Sequence, residues 1–99
     1  MKIKLNQQLK SVDNKSPIIG ERNEPLTLRN ICINAVLAPI EGEDQKKKWE
    51  KYEIFKKLRD ANDEVDLKVE EIVVIKNGIG RFNPPLILGQ CFEMLEDIR

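Results

Sequence analysis

Histidine is missing altogether from these 99 residues, and with it the commonest general base and the commonest metal-binding imidazole. Net charge is missing as well, because 17 Lys+Arg balance 17 Asp+Glu. That neutrality argues against a general nucleic-acid binder and against an acidic nucleic-acid mimic, since both work through a field of one sign. Cysteine is scarce. Cys32 and Cys91 are too few for a disulfide framework and stand in no metal-ligand spacing. Each sits in an apolar run, Ile31-Cys32-Ile33 and Gln90-Cys91-Phe92, so two buried, reduced thiols are expected. No apolar stretch approaches the ~20 residues of a membrane span. The opening Met1-Lys2-Ile3-Lys4-Leu5-Asn6 carries charge without the apolar core of a signal peptide. The expectation is a cytoplasmic protein with no membrane contact.

What is present fits one folded domain over residues 1–99, with 40% apolar and 34% charged residues. The patterns predict an α+β fold, mostly helical, with about four helices and an N-terminal β-hairpin packed on them. Residues 1–26 form the arm and 27–99 the helical part. In the arm, Ile3, Leu5 and Leu9 share one face of a strand. Asp13-Asn14-Lys15-Ser16-Pro17 supplies a turn, and Ile18-Ile19-Gly20 can return as a short second strand.

Thr27 is a helix cap, and Leu28, Ile31, Cys32 and Ala35 follow at helical spacing, with Val36 and Leu37 widening the stripe. Pro39 ends that helix. Asp44 caps the next, residues 45–59, on which Trp49, Tyr52, Phe55 and Leu58 recur every third position and are assigned to the core. Glu53 and Lys57 make an i,i+4 pair there. Residues 60–66 read as a turn. From Val69 to about Lys76 a helix is favoured, capped by Asp66, with acidic Glu70 and Glu71 in its first turn and Asn77-Gly78 as its stop. The run Ile72-Val73-Val74-Ile75 would also suit a buried strand. A last helix opens at Asn83-Pro84, Asn83 being the cap and Pro84 the first helical residue, and it buries Leu88, Cys91, Phe92 and Leu95.

Chemistry is thinly represented. Ser11, Ser16 and the cysteines have no histidine to activate them. The carboxylates of Glu70-Glu71 and Glu41-Gly42-Glu43-Asp44 read as helix N-terminal acids. Gly78-Ile79-Gly80 lacks the continuation and lysine of a phosphate loop, and reads as a helix stop followed by a turn. Residues 60–71 match an EF-hand loop at Asp60, Asn62, Glu64, Asp66 and Glu71. Val65, however, stands where that loop needs glycine, and a β-branched residue resists the required positive φ. No catalytic residue, metal or cofactor is therefore assigned.

Two features point toward binding. Lys46, Lys47, Lys48, Lys51, Lys56, Lys57 and Arg59 crowd one helix that also bears Trp49 and Tyr52. Residues 1–59 hold 13 basic and 8 acidic side chains, net +5, whereas residues 60–99 hold 4 and 9, net −5. Either the halves neutralise one another in the fold, or the molecule presents a polar surface to a partner. The candidate partner surface is the basic residues just named together with Asp63 and Glu64.

The chain resembles a class of small proteins of unknown function encoded by tailed bacteriophages and prophages. The resemblance lies in Pro25-Leu26-Thr27-Leu28-Arg29, in Asn34-Ala35-Val36-Leu37-Ala38-Pro39 and in Lys51-Tyr52-Glu53 with Lys56-Lys57. It continues in Val65-Asp66-Leu67 with Glu70-Glu71, in Ile75-Lys76 and in Pro85-Leu86-Ile87-Leu88-Gly89-Gln90. It implies a phage or prophage source, hence a bacterial host cytoplasm, and it brings no catalytic residues. The expectation is a non-enzymatic protein-interaction module, an accessory or assembly factor that binds a protein partner or a second copy of itself. A nucleic-acid-associated regulator using the basic helix 45–59 is the second reading. A chain this short buries only somewhat over about 60% of its unfolded surface, so a homodimer would also be a source of stability.

Overall fold

The computed structural model describes residues 1–20 and 22–96; Glu21 of the arm, and Asp97 and Arg99 of the acidic part, lie outside the described residues. In chain order the elements are β1 (Lys2–Lys4), α1 (Leu28–Leu37), α2 (Gln45–Asp60), β2 (Glu64–Asp66), α3 (Val69–Phe82) and α4 (Pro85–Glu96). The fold is α+β and mostly helical.

The arm doubles back where its turn residues require it. The Asp13 carboxylate accepts hydrogen bonds from the backbone N–H groups of Ser16 and Lys15 and from the hydroxyls of Ser11 and Ser16, all at 2.8–2.9 Å. These donors hold the carboxyl well below the usual carboxylate range and let Asn14 take a φ of 60°. Past the turn, Ile18 N–H donates to the Leu9 carbonyl at 3.0 Å. The pairing inside the arm stays at isolated bridges, such as Lys10 with Pro17. The regular ladder lies elsewhere: β1 pairs antiparallel with β2, placing Ile3 opposite Val65. Residues 60–66 are thus more than a turn. Glu64-Val65-Asp66 repeats the polar–apolar–polar pattern of Lys2-Ile3-Lys4, and each strand buries its central residue.

Helix α1 begins as its sequence dictates. Thr27 Oγ1 accepts from Asn30 N–H and Asn30 Oδ1 accepts from Thr27 N–H, a reciprocal box that satisfies two end donors. Leu28, Ile31, Cys32, Ala35 and Val36 are buried, whereas Leu37 falls off the stripe and is half exposed. This helix packs against both α2 and α3 and also touches α4. Asp44 caps α2 by accepting from Lys47 N–H at 2.8 Å.

The segment 72–75 is helical, and α3 runs straight through Asn77-Gly78 to Phe82, so those residues do not stop it. Gly78 has another task. A Cβ built on it would lie 2.6 Å from the Ala35 carbonyl oxygen of α1, so glycine is what lets the two backbones approach. Asp66 does not cap α3; it lies in β2 and meets the N-terminal ammonium at 3.2 Å. The first turn of α3 is closed instead by Glu71, which accepts from Lys68 N–H at 2.9 Å. Helix α4 starts one residue later than the sequence suggests, with Pro85 as its first residue and the Pro84 carbonyl accepting from Leu88 N–H.

Ile3, Leu5 and Leu9 of the arm join the apolar faces of all four helices in one cluster. Cys32 and Cys91 are buried in it as free thiols. Burial, and for Cys32 also the neighbouring Cys91, pushes the thiols up to about 12 and about 11. No helix among the described residues is long and apolar enough to cross a membrane.

Candidate functional site

The functional surface follows from a geometric property of α2. A step of three residues turns an α-helix about 300°, so side chains spaced by three drift about 60° each time. Trp49 and Leu58, three such steps apart, therefore stand on opposite sides. Leu58 is buried, whereas Trp49 is 60% exposed and Tyr52 43% exposed. The core assignment is corrected for Trp49 and Tyr52, while Leu58 is in the core and Phe55 packs against it half-buried. The buried stripe of α2 is Lys51, Ile54 and Leu58, at true helical spacing.

Trp49, Tyr52 and Phe55 form a continuous tilted run, exposed at Trp49 and Tyr52 and turning into the core at Phe55, with ring centroids 5.8 and 5.9 Å apart. Cations lie over two of the rings: Lys56 Nζ is 5.5 Å from the centre of Tyr52, and the Arg59 guanidinium is 5.3 Å from that of Phe55. Each cation also meets an acid on its own helix, Lys56 with Glu53 at 3.3 Å and Arg59 with Asp60 at 2.8 Å. The hydrogen bond between Arg59 and Asp60 raises the pKa of the guanidinium and lowers that of the carboxyl.

The other members of the proposed surface divide. Lys46, Lys47 and Lys48 are exposed in the first turns of α2, Lys47 lying 3.6 Å from Glu50. Lys51 does not belong with them. Its side chain is buried and its ammonium meets Glu43 at 2.5 Å, tying the loop before α2 onto the helix. The apolar stem of lysine makes such burial tolerable when a carboxylate waits at its end. Lys57 faces α3 and pairs with Glu71 at 2.8 Å, in place of the expected partner Glu53. Burial works against ionisation of Glu71, but Lys57 and the Lys68 N–H outweigh it and hold the carboxyl below its ordinary value. Asp63 is exposed and accepts from Asn6 Nδ2 at 2.9 Å. Glu64 is exposed on β2 opposite Lys4.

The acids of residues 60–71 do not converge. Asp60 is engaged by Arg59, Asp63 by Asn6, Asp66 by the N-terminus and Glu71 by Lys57. Glu64 and Asp66 project from a strand, not from a calcium-type loop. No group of three or more Cys, Asp or Glu among the described residues is placed to hold a metal ion.

The two charge halves meet directly at the Lys57–Glu71 and N-terminus–Asp66 pairs. Lys46, Lys48 and Glu70 enter no ion pair among the described residues. The fold thus neutralises part of the split and leaves part on the surface. No protein-family model matches the chain, and no curated protein or solved structure matches it.

Proposed function

We propose that this chain is a non-enzymatic protein-interaction module, an accessory or assembly factor of the phage or prophage type acting in the cytoplasm of a bacterial host. Its contact surface is the outer face of α2. One observation carries the reading: Trp49 and Tyr52 project from a regular helix into solvent, next to Arg59, Lys56 and Lys48. Trp, Tyr and Arg dominate the binding energy of protein interfaces because each offers a large contact area with a polar end. Here the rings already brace one another, so little side-chain freedom remains to be lost on binding.

The titratable groups that are shifted have structural explanations: Asp13 in its turn, Arg59 with Asp60, Glu71 at a helix start, and the thiols in the core. None of these shifts calls for a reacting group in a cleft.

The cations over the aromatic rings also favour the second reading, a nucleic-acid-associated regulator, because bases stack on exposed rings beside phosphate-binding lysines. Glu50, Glu53 and Asp60 interrupt that field and rank it second.

The deciding experiment is affinity capture from bacterial lysate with the wild-type chain and with Tyr52→Ala/Arg59→Ala, alongside analytical ultracentrifugation. A stoichiometric protein partner or self-association that the double variant loses supports the module. A salt-sensitive shift of DNA or RNA, abolished by Lys46→Glu/Lys47→Glu/Lys48→Glu, would install the regulator instead. Finding neither a partner, a self-associated species nor a nucleic acid would remove both readings.

A further inference from the structure

Beside the aromatic run, α2 and α3 leave a groove of about 280 Å³ lined by Trp49, Ile54 and Val74, with Glu50 and Glu53 on one wall and Glu70 and Glu71 on the other. Its apolar floor and four carboxylates are accompanied by no cationic lining residue. We propose that this groove binds a cationic, amphipathic helical segment of a partner protein, an inference that rests on the interaction reading above and names the partner's chemistry.

Three features select that occupant. The volume lies below the roughly 300–1,000 Å³ of sites that enclose small molecules, so it suits one or two inserted side chains of a longer ligand. The walls are two helices, and an apolar channel between helices is the seat that an amphipathic helix uses through residues at i, i+3 and i+4.

The carboxylates stand on both sides and are available to a ligand. Glu50 and Glu53 have partners only on their own exposed helix face, Lys47 at 3.6 Å and Lys56 at 3.3 Å, and such pairs exchange at little cost. Glu70 has no ion-pair partner among the described residues. Glu71 is the one carboxylate already committed, to Lys57 and the start of α3. A segment with leucine-type anchors flanked by lysine or arginine would cover Trp49, Ile54 and Val74 while its cations met Glu50, Glu53 and Glu70. An acidic or uniformly polar segment would leave the apolar floor wet and set like charges against each other.

Trp49 is the only tryptophan of the chain, so its emission reports occupancy directly. The probe is an 18-residue helical peptide of leucine and lysine, apolar on one face and free of aromatic residues. Controls are a shuffled peptide of the same composition and a leucine–glutamate counterpart. Titration with the patterned peptide should shift Trp49 emission to the blue, saturably, and more weakly as salt rises. Glu50→Lys/Glu70→Lys should weaken that binding at least tenfold, while Glu93→Lys, at an exposed position of α4, leaves it unchanged, with helical circular dichroism confirming that both variants fold.

The inference is overturned if the patterned peptide leaves the emission unchanged, if the shuffled or acidic peptide acts equally well, or if Glu93→Lys weakens binding to the same degree. Self-association of the free chain that Glu50→Lys/Glu70→Lys abolishes would make a second copy the occupant and overturn it as well. Should the peptide fail while Tyr52→Ala/Arg59→Ala still releases a captured partner, the groove is refuted and the interaction module stands. Should both fail, both fall.

Discussion

Replacing Gly78 with alanine tests the close contact between α1 and α3 that organises this core. At a solvent-exposed helical position the change would stabilise the chain, since alanine exceeds glycine in helix propensity by about 1 kcal/mol. At Gly78 the added methyl carbon would sit 2.6 Å from the Ala35 carbonyl oxygen and 3.0 Å from both the carbonyl carbon and the Cβ of the same residue. The obstacle is largely backbone and cannot rotate aside, so α1 and α3 must separate by several tenths of an ångström, loosening Ile31, Cys32 and Ile75 around them. Overpacking of this kind costs about 1–3 kcal/mol. After the propensity gain the net destabilisation should be up to about 2 kcal/mol, a fall in melting temperature of up to roughly 16 °C at this chain length.

Gly80 is the internal control. It lies in the same helix, and a Cβ there would approach only the end of the Leu88 side chain, at 3.9 Å. Gly80→Ala should therefore stabilise by up to about 1 kcal/mol. Urea unfolding followed by circular dichroism at the helical band reads both, with the slope checked for two-state behaviour. Gly78→Ala more stable than wild type, or indistinguishable from Gly80→Ala, would refute the close-approach argument.

Three further outcomes follow from the same structure. Glu43→Gln should destabilise by several kcal/mol, on the order of the 3–5 kcal/mol seen when one member of a buried pair is removed, because Lys51 is left without its carboxylate. Glu43→Leu/Lys51→Met should recover most of that loss in chemical denaturation, and an equally unstable double variant would contradict the pairing. Alkali should weaken the fold. Both thiols have an ordinary pKa of 9.0 that burial raises in the native state, to about 12 for Cys32 and about 11 for Cys91. The unfolded chain therefore loses these protons first, and the stabilisation, complete below about pH 9, declines above it by about 1.4 kcal/mol per pH unit per thiol. Denaturation midpoints at pH 8 and 10 should fall more steeply for wild type than for Cys32→Ala/Cys91→Ala; parallel slopes would count against it. Finally, Trp49→Ala/Tyr52→Ala should change thermal stability by less than about 1 kcal/mol, as surface truncations do, and a loss typical of core residues would show that these rings are structural.

The amino-acid sequence by itself determined what depends on neighbours along the chain. Thr27 with Asn30, Asp44 with Lys47, and the Asp13–Ser16 turn each satisfy backbone donors within three residues, so their positions are written locally. Pro39 and the Pro84-Pro85 pair likewise mark helix ends within one residue. Tertiary structure decided whatever depends on an element distant in sequence. Asn77-Gly78 carries a local stop signal, yet α1 lies against it and makes glycine a point of contact instead. Three residues at 64–66 are too few to announce a strand, and become one because β1 supplies the hydrogen bonds. The aromatic repeat on α2 resembles a core stripe until its drift around the helix is set against the side that α1 covers. Lys51 enters the interior only because Glu43 folds back to meet it. The charge split was visible as a total, but packing alone selected which acids, Glu50, Glu53 and Glu70, would be left around an apolar groove. Local chemistry fixes where elements begin and end, while burial is assigned by the partner that covers each face.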